Sequence, residues 1–128
     1  MISLTNARRD PKEALRRALE LRRPVAEGGA YTQFLDPKFT GDGGFLAGVP
    51  VAVKDLIDVA GVPTKAGCAA FDQAPPADAD AQVVAILRRA GASIVGKTAL
   101  HEIAFGTTGI NSYEGTPANP HDRRRICG

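Results

Sequence analysis

The sequence lacks tryptophan and has little aromatic content of any kind, 5% in 128 residues. Its basic cluster Arg123, Arg124 and Arg125 therefore has no aromatic residues interleaved with it. A solvated tail explains that cluster better than nucleic-acid binding does. Excess charge is also lacking. The formal net charge is +2, which gives no reason to expect a polyanionic partner. Cysteine is limited to Cys68 and Cys127, too few for a disulfide framework, so a reduced, cytoplasmic setting is expected. No apolar run is long enough to span a membrane, and the N-terminus lacks a signal-peptide core. Histidine is limited to His101 and His121. The pair His101-Glu102 invites a zinc reading, but a second histidine would be needed at position 105, which is Phe105. No metal is expected. A Cys68–His101 nucleophile pair has no local support.

What remains is the composition of an ordinary soluble domain, 44% hydrophobic and 23% charged. Seven of the sixteen Lys and Arg lie between Arg8 and Arg23, alternating with Asp10, Glu13 and Glu20. That pattern fits a solvated helix face. Asn6 to Arg23 reads as helical, with Pro24 as its stop. Pro11 near the start suggests a shorter helix, Asp10 to Arg22, capped by Asp10. Glu27 to Gly43 reads as a connector, and Gly41 to Gly44 as a glycine loop.

Val49, Val51 and Val53 then alternate with Pro50, Ala52 and Lys54, the period of a short strand. Lys54 ends that strand, either as a solvated terminus or as a cation drawn into a site; composition alone favours the first. Thr64 to Ala77 reads as a long loop. Asp78 to Ala90 is the clearest helix, with Asp78 or Asp80 as cap and Gly91 at the left-handed C′ position. Ser93 to Val95 reads as a strand. Thr98 is placed to cap a further helix from Ala99 to about Ala104. Strand, helix, strand makes a βαβ unit around residues 49–96, and hence a parallel pair.

Gly91 to Thr98 also fits the pattern GxxxxGK followed by Thr, the phosphate-binding P-loop. That reading needs a strand before the first glycine and a free loop between the two. Here a helix precedes Gly91, and Ser93, Ile94 and Val95 read as the strand itself. A nucleotide-binding NTPase is therefore disfavoured, and Lys97 is expected at a strand exit or helix start.

The stretch GVPVAVKDLIDVAGVPTKAG, with DADAQVVAILRRAGASIVGKTALHEIAFGTTGIN and GTPANP, resembles the opening of the amidase signature family. The likeness runs from about Gly44 to Gly128. It implies an α/β class, the N-terminal part of an α/β/α sandwich with a mixed central sheet. Residues 1–43 would then be an N-terminal helix and connector, and 44–128 the first part of the catalytic domain. The lysine of the family's VKD motif falls on Lys54, which the resemblance makes the base of a Ser–cis-Ser–Lys triad. A lysine base must be neutral, which calls for burial away from carboxylates, so Asp55 should point elsewhere. The resemblance also places Ala104, Gly106 and Thr107 near the substrate's acyl group. It implies a small-molecule amide substrate, no cofactor, and a homodimer or a complementing C-terminal fragment as partner.

Ser3, Ser93 and Ser112 are the serines present, and none stands in the Gly-Ser context of the family's GGSS stretch. His121 and Cys127 also depart from the residues usual there. The chain alone is therefore expected to carry the base without the nucleophile, to be inactive, and to be weakly stable. The alternative is a non-catalytic α/β remnant or interaction module.

Overall fold

A computed structural model describes residues 4–37 and 43–127. Gly41 and Asp42 of the expected glycine loop lie outside the described residues, as do Ser3, Phe39 and Gly128.

The expected first helix is split in two. Helix α1 spans Leu4–Arg9 and α2 spans Pro11–Glu20. The break is where Asp10 caps α2: its carboxylate accepts from the Glu13 N–H at 3.0 Å, and Pro11 fills a position that needs no donor. Ala7 and Ala14 bury themselves with Val49, which directly precedes the strand Pro50–Lys54.

The connector holds a strand that the sequence did not announce, β1, Tyr31–Phe34. Strand β2 is Pro50–Lys54, as the valine alternation indicated. Helix α3 spans Gln82–Arg89, shorter at its start than expected. Asp80 does not cap it. Its carboxylate instead accepts from the Ala60 N–H at 2.8 Å and pairs with Arg88 at 2.8 Å. Gly91 does close α3 with φ +90°, a value that strains any L side chain.

Strand β3, Ser93–Thr98, is twice the expected length. The helix expected after Thr98 is absent. In its place is a single 3₁₀ turn, Glu102–Ala104, with Ile103 and Ala104 at left-handed φ of 45° and 58°. Two adjacent left-handed residues end any helix.

The strand order is β1-β3-β2, with β3 antiparallel to β1 and parallel to β2. The β2–α3–β3 crossover is the expected βαβ unit, and the sheet is mixed. One sheet face packs Val53 and Ile94 with Val59, Val62 and Val84 into the main apolar core. Among the described residues no helix is long and apolar enough to cross a membrane.

Candidate active site

Lys54 is the last residue of β2, and its partner in the ladder, Thr98, is the last of β3. The two parallel strands therefore end side by side. In open α/β sheets, ligands bind in the crevice beyond such carboxyl ends. The Lys54 side chain is exposed, and among the described residues no hydrogen bond or ion pair reaches its amine.

The loops that leave the two strands are tied together. The Asp55 N–H donates to the Thr98 carbonyl at 2.9 Å, and the Asp55 carbonyl accepts from Ala66 at 2.9 Å. The Ala66 carbonyl in turn accepts from the Ile103 N–H at 2.8 Å. Ala66, Ile103 and Ala104 are the non-glycine residues with positive φ among those described, and all three sit in these loops. Strain of this kind costs of order 1–3 kcal/mol per residue and clusters where function demands it. The hydrogen bonds thus link the Lys54 end to the Ala104 loop. Ala104 is half-buried, while Gly106 and Thr107 are exposed. Gly106 lies under the His101 ring: a Cβ there would stand 2.5 Å from the ring atoms. His101 Nδ1 lies 3.3 Å from the Thr108 hydroxyl, so the loop folds back on itself at this point.

Asp55 turns the opposite way from Lys54, as its parity requires. It is fully buried and pairs at 2.8 Å with Lys97, also fully buried. Lys97 is an interior residue of β3, not a strand exit. Its ammonium also donates to Thr64 Oγ1 at 3.1 Å and to the Pro63 carbonyl at 3.4 Å. An ammonium has three protons, and all three have acceptors here. This accounts for the lysine of the apparent P-loop, because Lys97 is committed inward and its backbone to a sheet. Sequence reading missed this pair; the cue was a lysine on the inward parity of one strand and an aspartate continuing the inward parity of its neighbour by one residue.

Cys68 is not an activated thiol. A hydrogen bond with Glu102 raises its pKa above the ordinary 9.0, helped by desolvation and by the charges of Glu102 and Asp72. A nucleophilic cysteine needs the opposite. Among the described residues no group of three His, Cys, Asp or Glu is placed to hold a metal ion.

Among the described residues, Glu114 is the titratable group with an unsatisfied buried atom. Its Oε2 is buried with no hydrogen-bond partner. Desolvation raises its pKa above the ordinary 4.5, and Asp55 and Asp72 add to this while Lys65 opposes it. The folded chain therefore holds this proton to higher pH than the unfolded chain does. Stability from this group is full below pH 4.5 and falls as pH rises through the folded value. Glu114→Gln is expected to remove that decline, read as a urea midpoint that no longer falls over the window. An unchanged profile would show that Glu114 is solvated.

An amidase family model matches residues 11–128. The chain is 47% identical over 83 residues to AtzE, a component of the 1-carboxybiuret hydrolase of Pseudomonas sp. (strain ADP). It is 45% identical over 85 residues to one component of the glutamyl-tRNA(Gln) amidotransferase of Archaeoglobus fulgidus. Those matches cover 65% and 66% of this chain but 18% of each relative. The crystal structure of the corresponding amidotransferase component from Thermotoga maritima superposes with a TM-score of 0.74 at 26% identity, over 96% of this chain and 27% of that one. The chain thus spans less than a third of the length of each of these relatives. With the family model spanning residues 11–128 and the same fold in a solved relative, the chain belongs to the amidases.

Proposed function

We propose that this chain supplies the base of an amide-hydrolysing site, with Lys54 as the lysine of a Ser–cis-Ser–Lys triad. The observation that carries the reading is the place of Lys54 at the shared carboxyl end of β2 and β3, exposed and, among the described residues, with no partner for its amine. A relative named as a hydrolase and one named as an amidotransferase component support the reaction class, cleavage of an amide C–N bond.

In this reaction neutral Lys54 accepts a proton from the cis-serine, which takes one from the nucleophilic serine. The freed serine oxygen attacks the carbonyl carbon. Backbone N–H groups hold the resulting oxyanion. The C–N bond breaks as the leaving nitrogen takes a proton, and water then opens the acyl ester. Burial favours the neutral form of a lysine. At this exposed strand end, that burial has to come from whatever covers the face in the working enzyme.

Both serines are to come from outside these 128 residues. Ser93 is buried within β3, the exposed Ser112 stands in no Gly-Ser context, and Ser3 lies outside the described residues. The complete site would hold a small-molecule amide against Ala104, Gly106 and Thr107, need no cofactor, and work in the cytoplasm. A complementing C-terminal segment or a homodimer would cover the open face. Phe105, 88% exposed beside that loop, suits such a cover.

The test is a graft. Residues 44–127 replace the matching segment of an amidase relative that has an assayed amide substrate. Turnover is expected, and Lys54→Ala is expected to lower it at least about 100-fold, the low end for loss of a general base. A graft that is active and indifferent to Lys54→Ala would sink the assignment. The chain by itself is expected to turn over no amide.

A further inference from the structure

Strand pairing sets a row of side chains across the sheet. Lys54 of β2 pairs with Thr98 of β3, and Thr98 pairs with Tyr31 of β1. Residues paired directly across strands share a face. Lys54 and Tyr31 thus stand on one side of the sheet, their backbones about 10 Å apart at two strand spacings. The opposite side carries Lys97 and Gln33, whose side chains both donate to the Pro63 carbonyl.

A bulge makes this arrangement. The register shifts between Tyr31 and Gln33, so Tyr31 and Phe34 point to the same face although three positions apart. Their ring centroids lie 5.6 Å apart with planes tilted by 46°. Phe34 pairs with Gly96, and a Cβ on Gly96 would stand 2.7 Å from the Tyr31 ring. Gly96 therefore lets the ring come close against β3. The Arg22 guanidinium also lies over the Phe34 ring, 4.9 Å from its centroid. Arg22 is itself fixed to the carbonyls of Leu35 and Val95 and to Asp36. The shelf stays open toward β2, where Ala52 and Lys54 are exposed.

We infer that Tyr31 and Phe34 form an aryl-binding wall for the site at Lys54, selecting amides whose acyl group carries a flat aromatic ring. The inference rests on the Lys54 reading only for what happens at the carbonyl; the wall itself stands on strand register and on Gly96. Burial raises the Tyr31 phenol above its ordinary value, so the ring is offered neutral. Two tilted rings favour an aryl partner over a saturated ring of equal size by about 2- to 12-fold, the worth of such pairs beyond buried area.

The test is ligand-observed fluorine NMR on the 128-residue chain with 4-fluorophenylacetamide. Line broadening is expected, reversed by phenylacetamide, less readily by cyclohexylacetamide, and not by acetamide. Tyr31→Ala and Phe34→Ser are each expected to weaken binding at least fivefold, and Tyr31→Phe to keep it. Phe34 is 47% exposed, so Phe34→Ser carries the test if Tyr31→Ala does not fold. Leu21→Ser, in the apolar groove lined by Leu4, Ala18 and Val49, is expected to change nothing. No broadening, equal competition by the cyclohexyl compound, binding that survives Phe34→Ser, or loss with Leu21→Ser would each overturn the inference. Lys54→Met is expected to leave binding intact, which separates a failure here from a failure of the base assignment.

Discussion

Lys97→Met is expected to cost about 3–5 kcal/mol of folding stability, the usual result of leaving one partner of a buried ion pair alone. At a typical urea slope this moves the unfolding midpoint by roughly 2 M. The reason lies in what Asp55 would lose. Its carboxylate is fully buried and pairs with Lys97 at 2.8 Å. Its other contacts are weak: the Thr32 hydroxyl and the Lys65 N–H, each at 3.4 Å. Neither can replace a cation. Asp55→Asn strands the ammonium instead and is expected to cost a similar amount. The double variant Asp55→Leu with Lys97→Met removes both charges and is expected to recover most of the loss, because an apolar pair of similar volume carries no desolvation cost. A single Lys97→Met as stable as the parent chain would show that the pair is hydrated. The pair also matters for the proposed chemistry. Asp55 follows Lys54 directly, so pinning its carboxylate inward fixes where the strand delivers the Lys54 amine, and keeps a carboxylate off it.

What could be read from the sequence was local. Asp10 followed by Pro11 announced the start of α2, because cap and first-turn proline act within one turn. The valine alternation announced β2, since its inner face meets the core. Gly91 announced the end of α3. What could not be read depended on partners distant in the chain. Strand β1 is four residues long and bulged, so its period-two signal is broken at Thr32, and it exists because β3 offers an edge. Lys97 read as a strand exit or helix start because lysine is rarely buried without a partner, and its partner, Asp55, lies just past another strand. The helix expected after Thr98 failed for a different reason. Its residues have fair helix propensity, but the Ile103 N–H is taken by the Ala66 carbonyl, and the loop follows that bond. The lysine proposed as the base was legible as a strand end, whereas the aromatic shelf beside it needed the register.

Asn111→Ala is expected to destabilise the chain by roughly 3 kcal/mol, since it strands several buried polar groups together. The Asn111 side chain is used to capacity. Its amide donates to the carbonyls of Gly67 at 2.8 Å and Leu100 at 3.1 Å. Its oxygen accepts from the N–H groups of Tyr113 at 3.0 Å and Glu114 at 2.9 Å. One residue thus joins the loop after β2, the loop after β3 and its own turn. Gly67 makes room for it: with φ +60°, its added Cβ would stand 2.4 Å from the Asn111 amide nitrogen. Asn111→Asp separates this account from simple loss of volume. The aspartate keeps the acceptor for Tyr113 and Glu114 but turns an oxygen toward two carbonyl oxygens. It is therefore expected to be at least as damaging as alanine, although it is nearly isosteric. Hydrogen exchange at Tyr113 and Glu114 reads the difference: faster in Asn111→Ala, where both amides lose their acceptor. In Asn111→Asp the exchange is expected to stay slower than in alanine at these two amides while the urea midpoint falls as far or further. An aspartate variant as stable as the parent would mean that the two carbonyls are served by water. Because the bridge also holds Leu100 and Gly67, its loss should release the strained backbone at Ala66, Ile103 and Ala104, which only the surrounding bonds keep in place.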